Sequence, residues 1–104
     1  MAGNFYREEI LCCLEEAPDG WGWIGYLAVD KKHPLYRNLF VELTSATLHH
    51  VKRSTGSLTW DALWWFKFDD DRCSNEWKTF NRLKDVADEL NVILNTNTPP
   101  KMET

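Results

Sequence analysis

The chain has little of what most functional signatures need. It has three cysteines, five glycines and four prolines in 104 residues. Cys12 and Cys13 are adjacent and Cys73 is distant, so no C-x-x-C pair exists and the count is odd. That excludes a zinc ribbon and a disulfide framework, and it predicts free thiols in a reducing cytoplasm. No apolar run approaches the roughly 20 residues of a membrane span, and Met1 to Glu9 is mixed and polar rather than a secretory leader. The chain also lacks positive charge overall. Twelve bases against sixteen acids give a net charge of −4, a poor default for binding duplex nucleic acid. No internal repeat, low-complexity tract or interdomain linker is present, and no catalytic signature is complete.

What is there is aromatic. Six tryptophans and five phenylalanines occur in a chain sized for one domain. Three of those tryptophans fall in Ser57-Leu-Thr-Trp-Asp-Ala-Leu-Trp-Trp-Phe-Lys-Phe-Asp69. Leu58, Trp60, Ala62, Trp64, Phe66 and Phe68 alternate, which is the period of a strand or hairpin with one buried face. Thr59, Asp61, Trp65 and Lys67 take the other face. This phase predicts that Trp60, Trp64 and Phe66 meet Ile24 or Tyr26 and the stripe of a closing helix.

Residues 4–16 read as a helix capped by Asn4, with Tyr6, Ile10, Cys13 and Leu14 on one stripe. Ala17-Pro18-Asp19-Gly20 ends it. Residues 21–29 read as a strand that is apolar on both faces, and Gly22 and Gly25 suggest a bend or a close neighbour. Residues 31–36 form a loop or a single helical turn around Pro34. Residues 39–44 and 48–51 are short strand candidates. Ser74 is the expected cap of the last helix, whose stripe is Trp77, Phe80, Leu83, Val86, Ala87, Leu90, Ile93 and Leu94. The expected fold is α+β: an antiparallel sheet of about four strands, with an N-terminal helix and a long C-terminal helix packed on it. Residues 1–97 form one domain, and 98–104 a polar tail.

Trp23-Ile-Gly-Tyr-Leu-Ala-Val29, His33-Pro-Leu-Tyr36, Thr55-Gly-Ser-Leu-Thr-Trp60 and Trp64-Trp-Phe-Lys-Phe-Asp69 follow one another in that order. In order and spacing this resembles a family of small uncharacterised phage and prophage proteins. Members tend to read Gly-Tyr-Val-x-Val, Gly-His-Pro-Leu-Tyr, His-Gly-Gly-Leu-Thr-Tyr and Trp-Trp-Phe-Gly-Phe-Asp-Cys, then a closing helix. The likeness spans roughly residues 20–95. This chain departs from it at the His of the third block, where Ser54 and Thr55 stand. It departs again after the fourth, where Asp70-Asp71-Arg72 replace Cys and His. The resemblance implies a phage or prophage origin and brings no activity with it.

Charge is unevenly spread, and two patches are candidates for interaction. The acidic one is Glu8, Glu9, Glu15 and Glu16 with Asp69, Asp70 and Asp71. The basic one is Lys31, Lys32, Arg37, Lys52 and Arg53 with His33, Tyr36 and His49. Aromatics beside bases suit a nucleotide or a single strand, although solvated loops explain the same pattern. Asp69–Asp71 read more simply as a solvated helix start than as a cation site, because no calcium-loop spacing surrounds them. His33, His49 and His50 with Cys73 lack zinc spacing. A loop His such as His33 can serve as acid or base, but a turn His bonded to backbone is the plainer reading. Cys12 and Cys13 lie near Glu15 and Glu16, which disfavours a thiolate, so packing is the plainer role.

Three functional classes follow. The first is a non-enzymatic inhibitor of a bacterial host protein, such as an anti-CRISPR or other anti-defence factor acting on a nucleic-acid-binding effector in the host cytoplasm. The second is a small nucleotide or phosphoester enzyme working through His33 and Asp69. The third is a nucleotide or nucleic-acid binding module that uses the basic middle. The incomplete catalytic sets favour the first. It needs no cofactor, no metal and no catalytic residue.

Overall fold

The computed structural model describes residues 3–68 and 75–96. Six strands form one antiparallel sheet: β1 (Gly3–Arg7), β2 (Ile10–Glu16), β3 (Trp23–Val29), β4 (Phe40–Glu42), β5 (Thr47–Val51) and β6 (Trp64–Phe68). Their spatial order is β1-β2-β3-β6-β5-β4. A short helix, α1 (Leu58–Asp61), links β5 to β6, and a long one, α2 (Glu76–Thr96), follows the sheet. The class is α+β with an antiparallel sheet and a long C-terminal helix. Among the described residues no helix is long and apolar enough to cross a membrane.

The predicted N-terminal helix does not exist. Its residues form the β1–β2 hairpin, with Arg7 opposite Ile10 and Gly3 opposite Leu14. The run Ile10 to Leu14 is buried throughout, so it fills a strand covered on both faces as readily as a helical stripe. Ile10, Cys12 and Leu14 join the core beneath α2, while Leu11 and Cys13 point the other way. The turn, Glu8-Glu9, lacks the Asn-Gly chemistry that announces a tight hairpin, and Glu8 takes a positive φ of 54°. A distant residue holds it instead. Buried Asn91 of α2 donates to the Arg7 carbonyl at 2.8 Å and accepts from the Glu9 N–H at 3.3 Å. Arg7 also forms a two-bond ion pair with Asp88, at 2.8 and 3.2 Å.

The alternation read from Leu58 onward begins only at Trp64. Ser57 caps α1 by accepting the Trp60 N–H at 3.5 Å, so Leu58, Thr59 and Trp60 belong to a helical turn. From Trp64 the phase is as expected. Phe66 and Phe68 are buried under α2 with Trp64 beside them. The opposite face is the surprise, since Trp65 is only 1% exposed there, with Trp60, Tyr26 and Leu63 packed around it. The predicted meeting of Trp60 and Tyr26 with the α2 stripe therefore fails. In β3 it is Leu27 and Val29 that face the helix.

Gly25 lets α2 approach β3. A Cβ there would lie 2.8 Å from Phe68 Cε2 and 2.9 Å from Leu83 Cδ2, so any side chain would have to push one of them aside. Leu83, Val86, Ala87, Leu90 and Ile93 of α2 are buried, but Trp77 is 65% exposed. The stripe is therefore one turn shorter than its sequence spacing suggests. Asn75 caps α2 by accepting the Lys78 N–H at 3.1 Å. Ser74, the expected cap, lies outside the described residues, as does the 98–104 tail. Glu89 ties α2 to the β4–β5 turn by accepting the Thr44 and Ser45 N–H groups at 2.9 and 3.0 Å.

Candidate functional site

The two candidate charge patches fare differently in three dimensions. As strands, residues 8–9 and 15–16 sit at opposite ends of β2, about 20 Å apart at roughly 3.3 Å per residue. Glu15 is engaged besides, because it forms an ion pair with Arg53 through two hydrogen bonds, the longer at 3.4 Å. Glu8 and Glu9 share a shallow depression with Lys31 and Lys32, where opposite charges face one another. Glu8, Glu9, Glu15 and Glu16 are thus not brought together. Asp69, Asp70 and Asp71 lie outside the described residues.

Much of the basic set does converge. Lys31, Tyr36, Lys52 and Arg53 line one open cleft of about 790 Å³ at an end of the sheet, together with His50, Ser54, Asp61 and Trp64. Its two walls are the loop 30–38 and the segment 51–63. Lys32 and Arg37 are exposed outside it, and the Arg37 guanidinium lies 5.9 Å from the centre of the Tyr36 ring.

The first wall is stiff for local reasons. Asp30 accepts the Lys32 N–H through its side chain and the His33 N–H through its backbone, both at 3.0 Å. The Tyr36 N–H then donates to the His33 carbonyl, and Asn38 N–H to Leu35, each at 3.0 Å. His33 is the keystone of the loop. It is only 4% exposed, its Nδ1 accepts the Leu35 N–H at 3.1 Å, and its Nε2–H donates to the Leu90 carbonyl of α2 at 2.9 Å. Both ring nitrogens are therefore in use on the neutral ring. Burial pushes the His33 pKa down, against the opposing pull of the Leu90 carbonyl and Asp30. His33 holds the loop against α2 and offers the cleft no free nitrogen.

An aromatic row forms the floor. His50 and Trp64 stack at 3.7 Å with their planes 9° apart, and Tyr36 meets Trp64 at 5.8 Å. Each of the stacked pair is pinned by a backbone carbonyl. Trp64 Nε1–H donates to Asn38 at 2.7 Å, and His50 Nδ1 lies 2.9 Å from the Trp65 carbonyl. A carbonyl only accepts, so Nδ1 carries the proton and Nε2 of the neutral ring is left as an acceptor. His50 was not singled out with the basic residues. Its adjacency to His49 hid it, because on a strand the two point to opposite faces.

The second wall is organised by Arg53. Its guanidinium carbon sits 4.0 Å from the Tyr26 ring centre and 4.9 Å from that of Trp65, a cation held between aromatic faces. Burial alone would lower its pKa, but the bonds and charge of Glu15 outweigh that and raise it. Asp61 turns towards its own wall, accepting the Thr55 N–H at 2.7 Å and the Thr55 hydroxyl at 3.1 Å. That leaves Lys31 and Lys52 exposed, with no ion-pair partner among the described residues.

The remaining sequence candidates among the described residues are not brought into one cluster. Among the described residues no three His, Cys, Asp or Glu side chains cluster to hold a metal ion. Cys12 and Cys13 are buried, and burial pushes their thiols up to about 12 and about 11, far from the thiolate form. Cys73 and Asp69 lie outside the described residues. Compared with known proteins, the chain matches no family model, no curated protein and no solved structure.

Proposed function

We propose that the chain is a small phage- or prophage-encoded protein that acts by stoichiometric binding to a bacterial host protein, as an anti-defence inhibitor such as an anti-CRISPR does. The observation that carries the binding half is His33. The enzymatic alternative relies on it as acid or base, yet its two nitrogens serve the Leu35 N–H and the Leu90 carbonyl. Buried, protonated thiols offer no substitute nucleophile. The origin rests on the resemblance in residues 20–95, and the host target follows from that origin, since small phage proteins often act by blocking host factors. The pinned loop and the exposed lysines of the cleft make a rigid contact surface, and rigidity reduces the ordering cost of association.

The test is a titration. The tagged chain is used to capture its partner from host lysate, and the purified pair is then titrated for loss of the partner's activity. Saturation near one equivalent supports binding. Complete loss at a small fraction of an equivalent means turnover and ends this reading.

A further inference from the structure

We propose that the cleft between loop 30–38 and segment 51–63 is a nucleotide site, taking a phosphate on Lys31 and Lys52 and a base against the Tyr36–Trp64–His50 row. The proposal rests on the binding reading and adds a ligand chemistry to it. A volume of about 790 Å³ falls within the range of small-molecule clefts, about 300–1,000 Å³. Two lysines 21 positions apart in sequence line it, both exposed and without an ion-pair partner among the described residues.

The aromatic row is preorganised. Its tryptophan and histidine are each locked by a hydrogen bond to a carbonyl, at 2.7 and 2.9 Å, so ligand binding need not freeze them. Flat rings accept any base, and stacking on them tolerates sequence. His50 adds direction: with Nδ1–H bonded to the Trp65 carbonyl, Nε2 of the neutral ring accepts, which suits the exocyclic amine that adenine and cytosine carry and thymine lacks. Among the described residues Asp61 is the one carboxylate lining the cleft, and its Oδ1 is bonded to Thr55. The net charge of −4 disfavours long duplex contacts but not a site for one or two phosphates.

A free nucleotide and a single strand share this chemistry, and the test separates them. The full chain is dialysed against ADP, and a labelled short oligoadenylate is followed by fluorescence anisotropy, each at low and physiological salt. Saturable binding of one ADP per chain, tighter than the oligonucleotide, assigns a free nucleotide. Tighter oligonucleotide binding assigns a strand. In either case Lys31→Glu with Lys52→Glu weakens binding roughly tenfold or more. His50→Phe keeps a ring against Trp64 and lowers adenine affinity severalfold, while pyrophosphate binding is unmoved. Lys84→Glu on α2 is the control and changes nothing. Circular dichroism confirms that each variant is folded. No saturable binding of either probe at millimolar concentration overturns the site. So does binding that survives the double reversal or falls equally in the Lys84 control. Consumption of ADP would keep the site and overturn the binding reading instead.

Discussion

The two faces of the sheet differ in what covers them. One face carries Ile10, Cys12, Leu14, Leu27, Val29, Leu48, Phe66 and Phe68 beneath the buried residues of α2. That core is large, and its polar members, His33, Thr79 and Asn91, are hydrogen-bonded. The other face carries Leu11, Cys13, Ala28 and Trp65, partly roofed by Trp60, Leu63 and Val51. A four-residue helix is too small to close it. The Arg53–Glu15 ion pair edges this gap, which runs at the end of the sheet into the cleft, whose Tyr36 and Trp64 rings pack against the first face. Stability is concentrated beneath α2 and recognition at the end of the sheet where the two faces meet, because only an incompletely covered region leaves polar groups within reach of a ligand.

The largest expected effect tests that division directly. Phe66→Ala, at a fully buried site beneath α2, should lower stability by about 3–5 kcal/mol. Leu63→Ala, half-buried on the roof of the other face, should cost about 1 kcal/mol. Chemical denaturation measures both, and equal losses would erase the distinction between the faces.

Gly25→Ala comes next. Its methyl would press on Phe68 and Leu83 where α2 lies over β3 and should cost about 1–3 kcal/mol. An unchanged melting temperature would mean that the helix can lift without loss.

On the cleft side, Arg53→Ala should exceed Glu15→Gln. The arginine is the more buried partner, with 17% of its side chain exposed against 41% for the glutamate, and it also packs on Tyr26 and Trp65. The glutamate is well solvated, so its loss should cost about 1 kcal/mol or less. The same denaturation series checks the order.

The smallest effect is a pH dependence from His33. Its folded pKa is depressed, so the neutral ring favours the fold and the unfolded chain binds the proton more readily. That stability is complete above the ordinary value of 6.5 and is lost as the pH falls below it through the folded pKa. Melting temperatures between pH 5 and 8 should therefore drop on the acid side. His33→Asn, whose side-chain oxygen can still accept the Leu35 N–H, should flatten the drop while lowering stability throughout.

Composition and local spacing determined a good deal by themselves. The α+β class, the strands in 21–29, 39–44 and 48–51, and the helix ending the fold follow from periodicity and turn residues that act within a few positions. The close approach at Gly25 was visible too, since a glycine inside an apolar strand has few other uses. Three things depended on contacts remote in sequence. Residues 4–16 satisfy both a helical and a strand pattern, and the choice falls to Asn91 and Asp88, more than 80 positions away, which bond the Arg7–Glu9 turn and its flank. Trp65 reads as a wet residue on a two-residue period until α1 and Arg53 cover it. The glutamates of one apparent patch separate to the two ends of β2, while Lys31 and Lys52 come to line one cleft. Charge order along a chain says nothing of distance until the strands are paired, and β6 comes to lie between β3 and β5 only when the sheet assembles over its core.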